Sequence, residues 1–128
     1  MQKCNKIFGG IGEQIAAKFL QDKKYKIIKT NYESKYGEID IIAKRRKVTV
    51  FVEVKTRFGT NYGFAAEAVD YRKRKHIIGA AKYYIYKEKP KSEYRFDVIE
   101  VYGSFVSGDF ELEKINHIEN AFEVSENR

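Results

Sequence analysis

Hydrophobic and polar positions alternate along this chain with two different periods, and the places where the period changes delimit its elements. From Phe8 to about Asp22, Ile11, Ile15, Ala16, Phe19 and Leu20 recur at helical spacing and form one apolar stripe. Gly9, Gly10 and Gly12 are poor helix formers, and they mark the start of this helix and a close backbone approach. Tyr25–Thr30 is short, aromatic and β-branched, which predicts a strand, and the polar run Asn31–Gly37 predicts a turn. Glu38–Lys44 and Val48–Lys55 are the next two strands. In the second, Val48, Val50, Val52 and Val54 point one way and Thr49, Phe51, Glu53 and Lys55 the other.

The basic run Lys44-Arg45-Arg46-Lys47 makes these two strands a hairpin, although it lacks Asn-Gly turn chemistry. After a glycine-bearing loop, Phe58–Gly63, a long helix is expected from about Phe64 to Tyr86. Its stripe is Ala66, Val69, Ile77, Ala80, Ala81 and Tyr84, and Pro90 falls just beyond its end. Tyr94–Tyr102 predicts a fourth strand, Gly103–Gly108 a turn and Phe110–Ile118 a fifth strand, with an acidic, frayed tail from about residue 119. The order helix, three strands, helix, one or two strands predicts an α/β fold. A mixed sheet of four or five strands would carry flanking helices, in a single domain over residues 1–128.

Composition narrows the chemistry. Cys4 is the one cysteine, which excludes an internal disulfide and a cysteine-based zinc cluster. No run of about 18 apolar residues is present, so no helix is expected to span a membrane, and Met1–Phe8 lacks the apolar core of a secretory signal. The cytoplasm is the expected location. Lysine and arginine number 25 against 18 acids, a net charge of +7. Residues 111–128 carry two basic and five acidic side chains, a balance of −3, which leaves +10 to residues 1–110. A basic body of this kind suits a nucleic-acid partner, though ordinary basic proteins share the property.

The hairpin concentrates the chemistry. If Arg45 pairs with Val48, antiparallel registry sets Asp40 opposite Glu53 and Glu38 opposite Lys55. Directly opposed residues share a face with Cβ atoms about 4.5–5.5 Å apart, and Glu53 and Lys55 share it by strand alternation. Adjacent carboxylates repel unless a cation lies between them. Hard oxygen donors at this spacing suit Mg²⁺ or Mn²⁺, with the remaining positions left to water and phosphate. A nearby lysine is placed to polarise an attacking water or to neutralise charge developing on phosphorus. The competing reading is a cross-strand ion-pair ladder on a solvated face.

Gly37-Glu38-Ile39-Asp40 followed by Glu53-Val54-Lys55 resembles the D…E-x-K signature of the restriction-endonuclease-like superfamily. The chain more closely resembles the YraN-like family of small bacterial proteins. The segments that carry this likeness are Gly9-x-x-Gly12-Glu13, Gly37–Asp40, Phe51–Arg57, Glu67-Ala68-Val69 with Lys73, and Arg95-Phe96-Asp97-Val98. That family is similar to archaeal Holliday-junction resolvases. The resemblance implies a nuclease fold with Asp40 and Glu53 as metal ligands, Lys55 as the catalytic lysine and Glu13 as a further acid able to join the metal. From spacing alone, Glu13 reads first as a partner of the helix N-terminal dipole, and with the resemblance the two readings stand level.

For the remaining residues two readings stand side by side. Lys73 falls among apolar positions by helical phase, and either snorkels outward or projects toward the site or a phosphate. Arg72, Arg74 and Lys75 flank it as a basic ridge that grips phosphates or simply faces solvent, and Arg57 is a further phosphate contact. Asp97 reads as the partner of Arg95, and His76 and His117 as structural. The combined expectation is a Mg²⁺- or Mn²⁺-dependent phosphodiesterase acting on DNA rather than RNA, branched DNA included, with a homodimer suggested by the resolvase likeness. The alternatives are a non-catalytic nucleic-acid-binding module with the same fold, and a protein-interaction scaffold whose basic face docks an acidic partner.

Overall fold

The computed structural model describes residues 2–59 and 71–123, with side chains described from Gly10 onward. Helix α1 (Gln2–Asp22) leads into an antiparallel meander of β1 (Lys26–Ser34), β2 (Gly37–Arg45) and β3 (Val48–Phe58). Helix α2 (Tyr71–Glu88) crosses to β4 (Glu93–Val106), which runs parallel to β3, and β5 (Asp109–Phe122) returns antiparallel beside β4. The result is one mixed five-stranded sheet in chain order. The loop and first helical turns expected over residues 60–70, with Ala66, Glu67, Ala68 and Val69, lie outside the described residues.

Each helix covers one face. Ala16 and Leu20 of α1 pack on Ile41, Ala43, Val50, Val52, Ile99 and Val101. Ile77, Ala80, Ala81 and Tyr84 of α2 pack on Ile39, Ile42, Phe51, Phe96 and Val98. The alternation expected in β3 is therefore present, with Val50 and Val52 toward α1 and Phe51 toward α2. Both faces are apolar because both are covered. Phe51 meets the rings of Tyr84, Tyr94 and Phe96 at 5.5–6.2 Å between centroids, and burial of such a side chain stabilises the fold by roughly 1.5–3 kcal/mol.

Several boundaries move outward from the sequence expectation, each for a packing reason. Helix α1 begins before the glycines rather than at them. Gly12 is small because α1 crosses β3 there, where a Cβ would run into the Thr56 hydroxyl. The helix ends on Lys24 at φ 75°, with the Tyr25 amide donating to the Leu20 carbonyl and the Lys24 amide to that of Gln21, a Schellman closure without glycine. Residues 31–34, read as a turn, belong to β1, where Tyr32 packs edge-on against Tyr84 at 5.5 Å. Gly103 likewise lies inside β4, packed so closely on Phe110 and Glu111 that a side chain would not fit, and the turn is Ser107-Gly108. Strand β5 continues to Phe122, four residues into the segment expected to fray, because Phe122 stacks on Phe96 at 5.0 Å.

Candidate functional site

The hairpin register is the one expected, Arg45 opposite Val48 and onward to Ile41 opposite Val52, and there the ladder stops. The next positions are Asp40 and Glu53. Ile39 belongs to the α2 core and Ile41 to the α1 core, although strand alternation would put residues two apart on one face. The phase of β2 therefore breaks at Asp40. Its neighbour across β1 is Asn31, held at φ 52° between the pairs Thr30–Ile41 and Tyr32–Ile39. Asparagine tolerates this left-handed conformation better than most residues. The Asp40 side chain fills the gap that the break opens, its Oδ2 accepting the Val54 amide at 2.8 Å.

Because β2 and β3 part at this point, groups from both sides of the sheet meet at Asp40. Glu13 approaches it from α1, near enough for the Asp40 charge to raise its carboxyl, while Asn31 beside the same carboxyl works to lower it. Glu53 reaches Asp40 from the α2 side. Burial first, and then the Asp40 charge, push the Glu53 carboxyl up to about 7, although Lys73 pulls the other way. Burial and Asp40 likewise push Glu13 up to about 7. Two acids flanking a third form a site short of positive charge.

Among the described residues, the cation in contact with this cluster is Lys73, whose Nζ lies 3.1 Å from Glu53 Oε2. Glu53 is 7% exposed and Lys73 46%, so a half-exposed ammonium caps a buried carboxylate. Burial works to lower the lysine pKa, but the pull of Glu53, Asp40 and Glu38 outweighs it and the net shift is upward. Gly37 fixes this geometry. Its φ of 152° and its close contact with the His76 backbone let the start of β2 lie directly against the first turns of α2.

Lys55 is half-buried on the same face as Glu53, and among the described residues no carboxylate is within ion-pair distance of it. The cross-strand ion-pair ladder is thus not formed, and exposed Glu38 does not pair with Lys55. In the parallel register Lys55 lies beside Glu100, which is 3% exposed and accepts from Tyr102 Oη at 3.0 Å and Asn116 Nδ2 at 2.9 Å. Arg57 follows on the same face beside Tyr102.

The other basic candidates point in different directions. Arg72 is exposed, Arg74 lies over the Phe122 ring at 5.9 Å, and Lys75 lies over Tyr71 of its own helix at 5.3 Å. Asp97, fully buried, is bound by Arg95 at 2.9 Å, by His117 Nε2 at 2.8 Å and by the Asn120 amide at 2.9 Å. Lys23 Nζ meets the other His117 nitrogen at 2.8 Å. This network ties β5 and the end of α1 to β4, away from Asp40, and matches the structural reading of Asp97 and His117.

Asn31 and Glu100 were not singled out from the sequence. Asn31 looked like turn polarity, and Glu100 carries a signal only in retrospect, as an acid two residues from Val98 on a strand buried on both faces.

As a donor set, Glu13, Asp40 and Glu53 are all oxygen and all acidic. Among the described residues no three Asp, Glu, His or Cys side chains form a ready cage for an ion. The fit is to a hard divalent cation held by one or two carboxylates and otherwise by water and phosphate.

Comparison with known proteins follows the same span. The sequence profile of Uncharacterised protein family UPF0102 matches residues 12–101. A UPF0102 protein of Clostridium beijerinckii is 44% identical over 98% of this chain and 100% of its own length. One from Caldanaerobacter subterraneus subsp. tengcongensis is 48% identical over 95% of this chain and 100% of its own. One from Clostridioides difficile is 49% identical over 92% and 98%.

Proposed function

The chain belongs to family UPF0102, and from that premise we propose that it is a divalent-cation-dependent phosphodiesterase acting on nucleic acid, DNA in preference to RNA and branched DNA included. The observation that carries this reading is the meeting of Glu13, Asp40 and Glu53 where β2 and β3 part. The order helix, three strands, helix, strand supports it, as does the resemblance to resolvases.

Asp40 and Glu53, with Glu13 beside them, would hold Mg²⁺ or Mn²⁺. When bound, the ion supplies a more acidic water and a brace for the phosphate. Asp40 is held in place by the Val54 amide, which donates to its Oδ2 and leaves the other oxygen for a ligand. Lys55 lies two residues along β3 from Glu53 and is uncommitted to any carboxylate among the described residues. Its ammonium is available to orient a water or to offset charge on the phosphate oxygens. Arg57 continues the same face and extends the positive surface along the path of a phosphate backbone.

The Lys73–Glu53 ion pair favours a second reading, in which an internal lysine replaces the cation and the fold only binds nucleic acid. Cleavage of a panel of linear and four-way-junction DNAs separates the two. The expected result is Mg²⁺- or Mn²⁺-dependent cutting that falls at least about 100-fold in Glu53→Ala and in Lys55→Ala while DNA binding persists. Binding without cutting on every substrate would favour the binding module. Cutting that survives Glu53→Ala would move the site elsewhere.

A further inference from the structure

Lys73 holds the carboxylate that a cation would need. Its Nζ is 3.1 Å from Glu53 Oε2, and a Mg²⁺ ligand oxygen sits about 2.0–2.1 Å from its ion. An ammonium and a divalent ion on one buried carboxylate repel strongly at such range. The lysine is the partner able to leave, being half-exposed on a long stem in the first turn of α2, whereas Glu53 is fixed in β3 and buried.

We propose that Lys73 exchanges Glu53 for a nucleic-acid phosphate when the carboxylates take up a divalent cation, so that cation and nucleic acid bind with positive coupling through this side chain. The inference rests on the phosphodiesterase reading and adds to it a residue that links the two ligands. In the absence of cation, Lys73 offsets the charge of Glu53 directly and that of Asp40 and Glu38 at longer range. In its presence, the released ammonium stands on the solvent side of the site, where a phosphate bridging to the cation would lie. The linkage is reciprocal, so nucleic acid must tighten cation binding by the same factor that cation tightens nucleic-acid binding.

Calorimetric titration of Mn²⁺ into wild type and Lys73→Met tests this without any measurement of turnover. The methionine variant should bind Mn²⁺ about five- to tenfold more tightly. Lys73→Arg should stay within about twofold of wild type, and so should Lys75→Met, which removes a nearby charge that lies over Tyr71 and, among the described residues, pairs with no acid.

A fluorescent DNA duplex titrated with and without Ca²⁺, expected not to support cutting, gives the second arm. Ca²⁺ should tighten DNA binding several-fold in wild type, and that gain should be lost in Lys73→Met. Should the methionine variant not fold, Lys73→Gln carries the same expectations. Equal Mn²⁺ affinity in wild type and the Lys73 variant, or an undiminished Ca²⁺ gain, overturns the exchange and leaves the proposed function standing. Absence of Mn²⁺ binding in every variant overturns both.

Discussion

Asp40 and Val54 are joined by a side chain where two strands would ordinarily be joined by backbone: the aspartate Oδ2 accepts the valine amide at 2.8 Å, just past the last regular pair of the hairpin, Ile41 with Val52. One residue thus closes the ladder and supplies the centre of the acidic cluster. Asp40→Asn can keep an acceptor for Val54 while removing the charge that Glu13 and Glu53 both feel. The titrations of Glu13 and Glu53, followed by carboxyl ¹³C resonances, should then fall from about 7 toward 4.5. Unchanged titrations in this variant would mean that burial alone raises them.

The pH dependence of stability should run opposite to that of a protein held by carboxylate ion pairs. Glu13 and Glu53 keep their protons in the folded chain up to about 7, while the unfolded chain releases them near 4.5. Across that window the folded state binds more protons, so unfolding free energy declines as pH rises. A loss on the order of 1–3 kcal/mol, discounted from the full shifts because Glu13 is only partly buried and screened by solvent, is expected between pH 5 and pH 8 in chelator, read by urea denaturation at constant ionic strength. Millimolar Mn²⁺ should restore most of it above pH 7, because the ion selects the deprotonated acids. A stability that climbs from pH 5 to 8 in chelator would contradict the clustered-acid geometry.

Gly37→Ala tests the seat of α2. The residue combines φ 152° with direct contact on the His76 backbone, and an L side chain suits neither. A destabilisation of about 2 kcal/mol or more is expected in urea denaturation, together with weaker capping of Glu53 by Lys73. An alanine variant as stable as wild type would show that the close approach is not needed.

Asp97→Ala should be among the most damaging single changes. It removes the acceptor that Arg95 and His117 share in the β4–β5 hairpin, and removing one member of a buried charged network costs about 3–5 kcal/mol. Burial works to raise the Asp97 carboxyl, but hydrogen bonds from His117, Arg95 and the Asn120 amide outweigh it and hold it below 3.8. Its contribution is therefore present above that value and fades in acid. Wild type should lose it below about pH 4, whereas the alanine variant, having none to lose, should show a shallower acid slope in thermal denaturation.

The hairpin was legible because its determinants are local. Arg45 and Val48 flank a two-residue turn, and counting back from them gives the register as far as Ile41 opposite Val52, one step short of Asp40 and Glu53. The phase break at Asp40 was not legible. It depends on Asn31 in a left-handed conformation and on two helices that pull Ile39 and Ile41 to opposite cores. The sequence leaves Lys73 between a stem lying along apolar surface and a side chain projecting toward the site or a phosphate, and no sequence count could choose Glu53 as its partner, because that contact needs α2 laid on the sheet. Strands β1 and β5 ran longer than their polar ends suggested, since Tyr32 and Phe122 gain aromatic partners that exist only in the folded chain.

The origin of each site group also bears on how the protein reaches its working form. Asp40 and Glu53 are thirteen residues apart in a single hairpin, a short loop to close, whereas Glu13 and Lys73 arrive on two helices that must dock from opposite sides. The hairpin acids are therefore expected to come together before the helix that carries their lysine docks. A divalent ion present during refolding would meet a half-built site with nothing yet competing for it.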